Sequence, residues 1–258
     1  MSVASELRDY VKTHFVSRDI FLAAANINDG FFEQLIGHQI IPGAIYRIWR
    51  NGAIWSPIGG HVGKATLGEP ESEWFSPAAL WWARRTWVLA SSDQLTMPQL
   101  AARLQAQFIA DFTAAVQSSD VAQHGYPDLF ENDTLFVDRC AGVAASEWGD
   151  WINGGYGVCL RRFDGRHLIA KTGEAGRIKF LTDNGTKQHL SPDERLDLLD
   201  ALEKLDAVML PFAPHQRPFG TPGKWIDAIM DRYGLGHIPL VQSALPEAKI
   251  EADNRLCA

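Results

Sequence analysis

The feature that most constrains this chain is the pair Asn51-Gly52, which lies between two short runs rich in apolar residues. Asn-Gly is a strong signal for a β-hairpin, because the favoured two-residue turn needs positive φ at both positions. Three short segments with apolar residues at helical spacing come before the pair. After it, Ser76-Pro77 opens a tryptophan-rich helix as N-cap and first helical residue. The sequence therefore predicts helices, a hairpin and a further helix between about residues 10 and 87, with 57–72 as a loop.

The third predicted helix, from about Asn28 to at most Gln39, occupies the place of a groove-reading helix but lacks its charges. No Lys or Arg occurs from 19 to 46, whereas Asp29 and Glu33 lie on this helix. Nucleic-acid binding depends on cations that contact phosphates and on side chains that read base edges. We interpret the segment as a winged helix-turn-helix-like module, with the hairpin as its wing, that serves as a scaffold or docking unit. Nucleic acid is disfavoured as a partner, and DNA binding through the two arginines of the hairpin stays the alternative.

The remainder of the chain is predicted to be helical. Thr96 precedes a long amphipathic segment, Ser191-Pro192 with Glu194 forms a capping box, and Thr221-Pro222 opens a last helix that runs to Tyr233. The fold class is therefore mainly α, with a module over 1–91, a helical domain over 92–235 and a tail over 236–258. The further helices are expected at 97–117, 127–151, 164–182 and 192–209.

Composition bounds the class of protein. Hydrophobic residues make up 46% of the chain and the net charge is −7, all of it after residue 90. No apolar run approaches the length of a membrane helix, and no signal pattern opens the chain, so we expect a cytoplasmic protein. The three cysteines form no CxxC pair and the histidines have no metal-ligand spacing, so no metal is predicted. Common nucleotide and hydrolase motifs are absent, and the cofactor stays unknown.

The tryptophans of the segment 74–87 suggest a contact surface. Successive helix positions turn by about 100°, so the four indoles cannot share one helix face. We expect this segment to pack between domains, against a partner protein or in a homodimer. The alternative is an aromatic surface for a ligand, with Arg84 and Arg85 beside it. The four residues are Trp74, Trp81, Trp82 and Trp87.

Two further segments hold the candidate site residues for a small-molecule substrate. The segment 148–162 is rich in glycine and aromatic residues, and glycines permit close backbone approach. In it, Tyr156 can donate a hydrogen bond and is a catalytic candidate, while Trp151 and Cys159 are substrate-binding candidates. Cys159 is also interpretable as a buried structural thiol, since it lies between two apolar residues. Lys171, on the following predicted helix, is a further substrate-binding candidate or one half of a solvated pair with Glu174.

A stiff loop with two prolines carries the remaining candidates. His215 is the acid–base candidate, because imidazole titrates near neutral pH. Its alternative role is to cap a helix or to satisfy a group in the core. Arg217 can bind an acidic substrate group with two hydrogen bonds, or it can pair with an acid of the chain itself.

Two resemblances rest on these segments. FVSRDIFLAAANINDGFFEQLIGHQIIP, the hairpin and EWFSPAALWW resemble the MerR-type winged helix over about 15–87, although the basic residues are missing. Three segments spread over the chain resemble an uncharacterised bacterial family of natural-product biosynthesis proteins. These are the opening HFVSRDIFLAAANI…IPGAIYRI, WINGGYGVCLR at 151–161 and LDAVMLPFAPHQR at 205–217. The second resemblance implies secondary metabolism but no particular reaction.

The function predicted from all of these features is an accessory or tailoring enzyme that acts on a small molecule in bacterial natural-product biosynthesis. The reaction class stays open. Two alternatives remain: a non-catalytic partner protein of a biosynthetic enzyme, and a MerR-like transcription regulator that responds to a ligand.

Overall fold

The computed structural model describes residues 3–64 and 68–236, and within them the chain is mainly helical with a small antiparallel sheet. The α-helices are α1 Val3–His14, α2 Arg18–Ala25, α3 Asp29–Gly37, α4 Pro77–Asp93, α5 Met97–Ser118, α6 Ala122–Gly125, α7 Val137–Ile152, α8 Gly165–Leu181, α9 Pro192–Val208 and α10 Ala228–Tyr233. The strands are β1 Val16–Ser17, β2 Tyr46–Ile48, β3 Ile54–Ser56, β4 Gly60–Val62, β5 Ser72–Phe75, β6 Phe130–Glu131 and β7 Thr134–Leu135. Two 3₁₀-helices, Pro127–Leu129 and Arg217–Phe219, and a π-helix, Gly223–Asp227, complete the list.

The hairpin predicted at Asn51-Gly52 is confirmed. Strands β2 and β3 pair antiparallel, and Ile48 lies opposite Ile54. The turn differs in detail from the prediction, since only its glycine has a positive φ, of 84°. The asparagine acts through its side chain instead, because the backbone N–H of Ala53 donates to its Oδ1 over 3.0 Å.

The sheet is larger than a wing. Its five strands follow the order β1-β5-β2-β3-β4, so β5 lies between the first strand of the chain and the hairpin. The prediction of a loop over 57–72 was wrong in part, because β4 adds to the edge of the sheet with Ser56 opposite Gly60. Trp74 lies in β5 and not beside the other tryptophans on a helix. The helices and the hairpin predicted between about residues 10 and 87 are all present, but a winged-helix module is not confirmed.

In the second part of the chain α8 packs against α5, α6 and α9. The approach of α6 is so close that a Cβ on Gly176 would lie 2.1 Å from the carbonyl oxygen of His124, so this helix contact requires glycine. The helix predicted over 127–151 was too long, because α7 begins only at Val137. Before it, Asn132 and Asp133 both adopt positive φ and form the two-residue turn of the β6–β7 hairpin.

One hydrophobic core runs through both parts of the chain. Trp82 of α4 joins them: it is buried, its ring meets Trp148 edge-on at 4.9 Å, and its indole N–H donates to the carbonyl oxygen of Phe163 over 2.9 Å. The boundary predicted at residue 91 stays a prediction. Of the predicted tail 236–258, all but Gly236 lies outside the described residues. In the described part of the chain, no helix is both long enough and apolar enough to cross a membrane.

Candidate functional site

Three of the predicted site residues converge at the loop between α7 and α8. This loop contains Tyr156 and Cys159, and Lys171 of α8 reaches both of them. Glycines let the loop pack tightly against the N-terminal part of the chain. Gly154 has a φ of 85°, and a Cβ on Gly157 would lie 2.5 Å from the side chain of Ile45. The glycine-rich sequence therefore sets how deeply the loop is embedded.

A carboxylate on α7 joins two phenols. Glu147 accepts a short hydrogen bond from the hydroxyl of Tyr156 through one oxygen. Its other oxygen accepts from the hydroxyl of Tyr126 over 3.0 Å. Burial and the negative charge of Glu147 raise the pKa of both phenols well above the ordinary value of 10.0. At neutral pH both tyrosines are therefore hydrogen-bond donors and not bases.

Lys171 supplies the positive charge of this group. Its Nζ lies 4.8 Å from the centre of the Tyr156 ring, which is the distance of a cation–π contact. Burial raises the pKa of the Cys159 thiol, and the lysine partly offsets this effect. The thiol faces the carbonyl oxygens of Gly155 and Tyr156, at 3.8 Å and 3.7 Å. Cys159 is therefore a protonated, buried thiol and not an activated nucleophile at neutral pH. We call Tyr126, Glu147, Tyr156, Cys159 and Lys171 the polar cluster.

A cleft of about 350 Å³ adjoins the same loop. Its volume lies in the range of small-molecule sites in proteins. Phe219 is 77% exposed at this cleft, which is unusual for an aromatic side chain. The residues that line this loop cleft are Ile58, Gly155, Val158, Cys159, Phe212, Phe219, Gly220, Thr221, Lys224 and Trp225.

The far side of the loop cleft is formed by the π-helix and the 3₁₀-helix before it. Here Arg217 makes two hydrogen bonds of 2.7 Å to the carboxylate of Asp227 and ties the two elements together. A Cβ on Gly223 would lie 2.2 Å from the carbonyl oxygen of Arg217, and one on Gly220 would lie 2.5 Å from the ring of Phe212. The backbone therefore packs at distances that only glycine permits. π-Helical turns are rare and frequently occur at functional sites.

His215 and Arg217, the candidates on the stiff loop with two prolines, do not belong to the polar cluster. The guanidinium of Arg217 is engaged by Asp227, in accordance with the alternative of pairing within the chain. The Nε2 atom of His215 is buried and has no hydrogen-bond partner among the residues that the structure describes. Neither residue lines the loop cleft, although Phe212 and Phe219 on either side of them do. Their predicted roles stay predictions.

Trp151 and the tryptophans of 74–87 lie mainly in the interior. Trp151 is fully buried and stacks on Phe163 with ring centres 4.6 Å apart. Among the four tryptophans predicted to form a contact surface, Trp82 is buried and the other three are partly buried against the core. Docking of a partner through this set stays a prediction, while the packing of Trp82 between the two parts is shown.

Several residues of the site were not singled out from the sequence, among them Glu147, Tyr126, Lys224 and Trp225. Glu147 and Tyr126 were not singled out, because nothing in the sequence shows that α6, α7 and the loop bring them together. Lys224 and Trp225 follow the predicted helix start at Thr221-Pro222 and were treated only as parts of that helix. An informative signal was present in the pair Pro222-Gly223, since a glycine within the first turn disfavours a regular helix.

The chain belongs to a family of unknown function (DUF6058), whose model matches residues 104–234. The match contains the whole polar cluster and every residue of the loop cleft except Ile58. No curated protein and no solved structure matches the chain. Among the described residues, no group of three or more His, Cys, Asp or Glu side chains could hold a metal ion.

Proposed function

We propose that the protein is an accessory or tailoring enzyme of bacterial natural-product biosynthesis and acts on a small amphipathic anion. The observation that carries the proposal is the loop cleft, which lies directly against the loop that contains Tyr156 and Cys159. Lys171 of α8 contacts both of these residues. A pocket beside convergent polar groups is the usual form of a small-molecule site. The metabolic context comes from segments such as 151–161 and 205–217, which resemble an uncharacterised bacterial family of natural-product biosynthesis proteins.

The charge of the loop cleft supports an anionic substrate. Lys224 is the only charged residue among those that line it. The aromatic rings of Phe212, Phe219 and Trp225 offer apolar surface to the body of a ligand. A carboxylate or phosphate next to an aromatic or acyl group therefore suits the cleft best.

Within this proposal, the polar cluster orients the substrate and moves protons. Lys171 carries a positive charge, and the hydroxyls of Tyr156 and Tyr126 donate hydrogen bonds to Glu147. His215 remains the acid–base candidate, because its buried Nε2 lacks a partner in the described part of the chain. Cytoplasmic location belongs to the same proposal.

A non-catalytic role is the second candidate. The phenols and the thiol of the polar cluster are all protonated at neutral pH, and such a site can bind without reaction. The protein would then serve as a ligand-binding partner of a biosynthetic enzyme. Docking on that enzyme would use the region of Trp74, Trp81 and Trp87.

The N-terminal part is proposed as a winged-helix-like scaffold. Arg18 makes ion pairs with Asp29 and Glu33 of α3, and Arg47 of β2 makes one with Glu73, so these two cations have partners inside the chain. This use of its cations supports a structural role. A MerR-like regulator remains the alternative, and it requires retardation of DNA by the purified protein at low salt.

Binding of paired probes tests the proposed substrate class. Aromatic and acyl carboxylates and their neutral amides are titrated into the full-length protein by calorimetry. Lys224 is exposed, and an exposed lysine–carboxylate contact contributes about 0.2–1 kcal/mol, so we expect Lys224→Gln to weaken the carboxylates about two- to fivefold and to leave the amides unchanged. Lys12→Gln, which removes an exposed lysine of α1, is the matched control. Equal affinity of acids and amides for the unmodified protein would contradict an anionic substrate.

Catalysis is tested on the same complexes. The bound molecule is recovered and weighed by mass spectrometry after incubation with cell extract that supplies co-substrates. An altered mass that appears with the unmodified protein and is lost in Tyr156→Phe supports the enzyme. An unaltered mass in both supports the binding protein.

A further inference from the structure

A second cleft lies between α4, α5 and the start of α8. Its volume is about 320 Å³. It contains Trp81, one of the four tryptophans considered from the sequence as an aromatic surface for a ligand, and Arg85, one of the two arginines beside them. The lining residues of this helix cleft are Trp81, Arg85, Asp111, Ala114, Ala115, Ser118, Asp164, Gly165 and Arg166.

Two of the four charged residues of the helix cleft have partners inside the chain. Arg85 donates to the Oε1 atom of Gln107 over 2.8 Å and lies 4.8 Å from the centre of the Trp81 ring. Asp164 is the N-cap of α8 and contacts the backbone N–H and the Nδ1 atom of His167, both at 2.9 Å. These contacts hold the two side chains in fixed positions at the edge of the cleft.

The other two charged residues have no such partners. In the described part of the chain, Asp111 and Arg166 make no hydrogen bond or ion pair, either with each other or with other side chains. Burial raises the pKa of Asp111, the charge of Arg85 opposes this effect, and the nearby charge of Asp164 adds to it. In the described part of the chain, the Asp111 carboxylate therefore has no cation in hydrogen-bond contact, and Arg85 acts on it only at longer range. An external ammonium group would supply that cation.

We propose that the helix cleft binds a zwitterionic α-amino acid with an apolar side chain. Its ammonium group contacts Asp111 and its carboxylate contacts Arg166, while its side chain packs on the indole of Trp81. The volume of the cleft and the presence of one unpaired acid and one unpaired base both fit a small zwitterion. Arginine and carboxylate form strong charge-assisted hydrogen bonds, and the cleft offers one group for each end of such a ligand.

This site is separate from the proposed substrate cleft. None of the residues that line the helix cleft lines the loop cleft. The two proposals therefore stand or fail independently. An amino acid at this position would brace α4 against α5 and α8, the elements that join the two parts of the chain.

The test begins with a screen of the proteinogenic amino acids by saturation-transfer NMR on the full-length protein. Binding of at least one apolar amino acid is expected, and failure of all of them would overturn the proposal. Phenylalanine, 3-phenylpropionate and 2-phenylethylamine are then compared by titration, since they share the ring and differ in charged groups. We expect the amino acid to bind about two- to fivefold more tightly than either analogue, because each analogue lacks one of the two contacts with an exposed charged residue.

Two variants test the contributions of Asp111 and Arg166 separately. Asp111→Asn is expected to lower the affinity for phenylalanine and phenylethylamine but not for phenylpropionate. Arg166→Gln is expected to lower it for phenylalanine and phenylpropionate only. Both side chains are exposed, so neither change threatens folding. Glu203→Gln, an exposed charge loss on α9, is the control. An equal effect of both variants on all three probes would contradict the assignment of the two charges.

Discussion

Two neighbouring groups of side chains around Phe163 differ in how they are held. The first is an aromatic cluster in which Phe163 stacks on Phe108 at 4.7 Å and on Trp151 at 4.6 Å. The second is the polar cluster, which touches the first where Tyr156 packs on Phe163 at 5.6 Å. Burial of apolar area stabilises the aromatic cluster, whereas the polar cluster is stable only while its donors and acceptors remain paired. The two groups therefore respond differently to the loss of a single side chain.

The largest effect is expected for Phe163→Ala. The change leaves a cavity in the aromatic cluster and removes the surface on which Tyr156 packs. We expect the free energy of unfolding to fall by about 3–5 kcal/mol. Urea denaturation measures this loss, and Phe163→Leu, which retains most of the volume, should show a much smaller one. A loss below about 1 kcal/mol would show that the aromatic rings contribute little.

An intermediate effect is expected for Glu147→Ala. The change leaves the hydroxyl of Tyr156 without its acceptor and leaves that of Tyr126 with only the hydroxyl of Thr172, 3.5 Å away. An unsatisfied buried donor costs about 1–3 kcal/mol, so we expect a loss of about 2 kcal/mol. The triple variant with Tyr126→Phe and Tyr156→Phe should recover part of it, because the unpaired hydroxyls are then absent. If the triple variant were less stable than Glu147→Ala alone, the pairing would not explain the loss.

A gain in stability is expected when a second carboxylate is replaced, because one of its oxygen atoms has no hydrogen-bond partner in the described part of the chain. Glu174 of α8 is 3% exposed, and its Oε2 atom has no hydrogen-bond partner in the described part of the chain. Burial raises its pKa above the ordinary value of 4.5, and Arg177 only partly opposes this. A raised carboxyl pKa in the folded state means that folding favours the protonated form. Its ionisation therefore lowers stability as pH rises through the raised pKa.

Glu174→Gln should accordingly stabilise the protein by about 1 kcal/mol at neutral pH. The gain should shrink as pH falls through the raised pKa and vanish below about 4.5, where the glutamate is protonated in both states. Glu203→Gln on the exposed side of α9 serves as control and should show no such gain. Thermal unfolding across this pH range measures the difference. A loss of stability at neutral pH would mean that the ion pair with Arg177 outweighs the burial of charge.

The smallest effect on stability is expected for Phe219→Ser at the loop cleft. Since this side chain is largely exposed, the free energy of unfolding should change by no more than about 0.5 kcal/mol. Binding of aromatic or acyl carboxylates should nevertheless weaken, because the ring offers apolar surface to the ligand. Val137→Ser, which removes another exposed apolar side chain outside the cleft, should leave binding intact. Equal binding by both variants would remove Phe219 from the site.

The contrast between the two clusters also explains what the sequence could reveal. Apolar spacing in single segments predicted α5, α8 and α9 to within a few residues, because each helix buries one face of its own residues. The hairpin at Asn51-Gly52 was found for a similar local reason. The β6–β7 hairpin was missed although Asn132-Asp133 is also a turn signal, since the helical spacing around it was given more weight.

The candidate site was only partly predictable. Tyr156, Cys159 and Lys171 were singled out separately by residue type, and the structure brings them together. Glu147 could not be identified, because its role depends on α7 packing beside α6 and the loop. The free charges of the helix cleft come from α5 and α8, and no local pattern relates them.

The central claim is that the loop with Tyr156 and Cys159 forms one side of a substrate cleft. Alkylation of Cys159 by iodoacetamide, located by mass spectrometry, tests it, because this buried thiol can react only when the loop opens. A carboxylate bound in the loop cleft should slow the labelling of Cys159 and leave unchanged that of Cys140, a buried thiol of α7 that does not line the cleft. Labelling of Cys159 at the same rate with and without saturating ligand would contradict the claim.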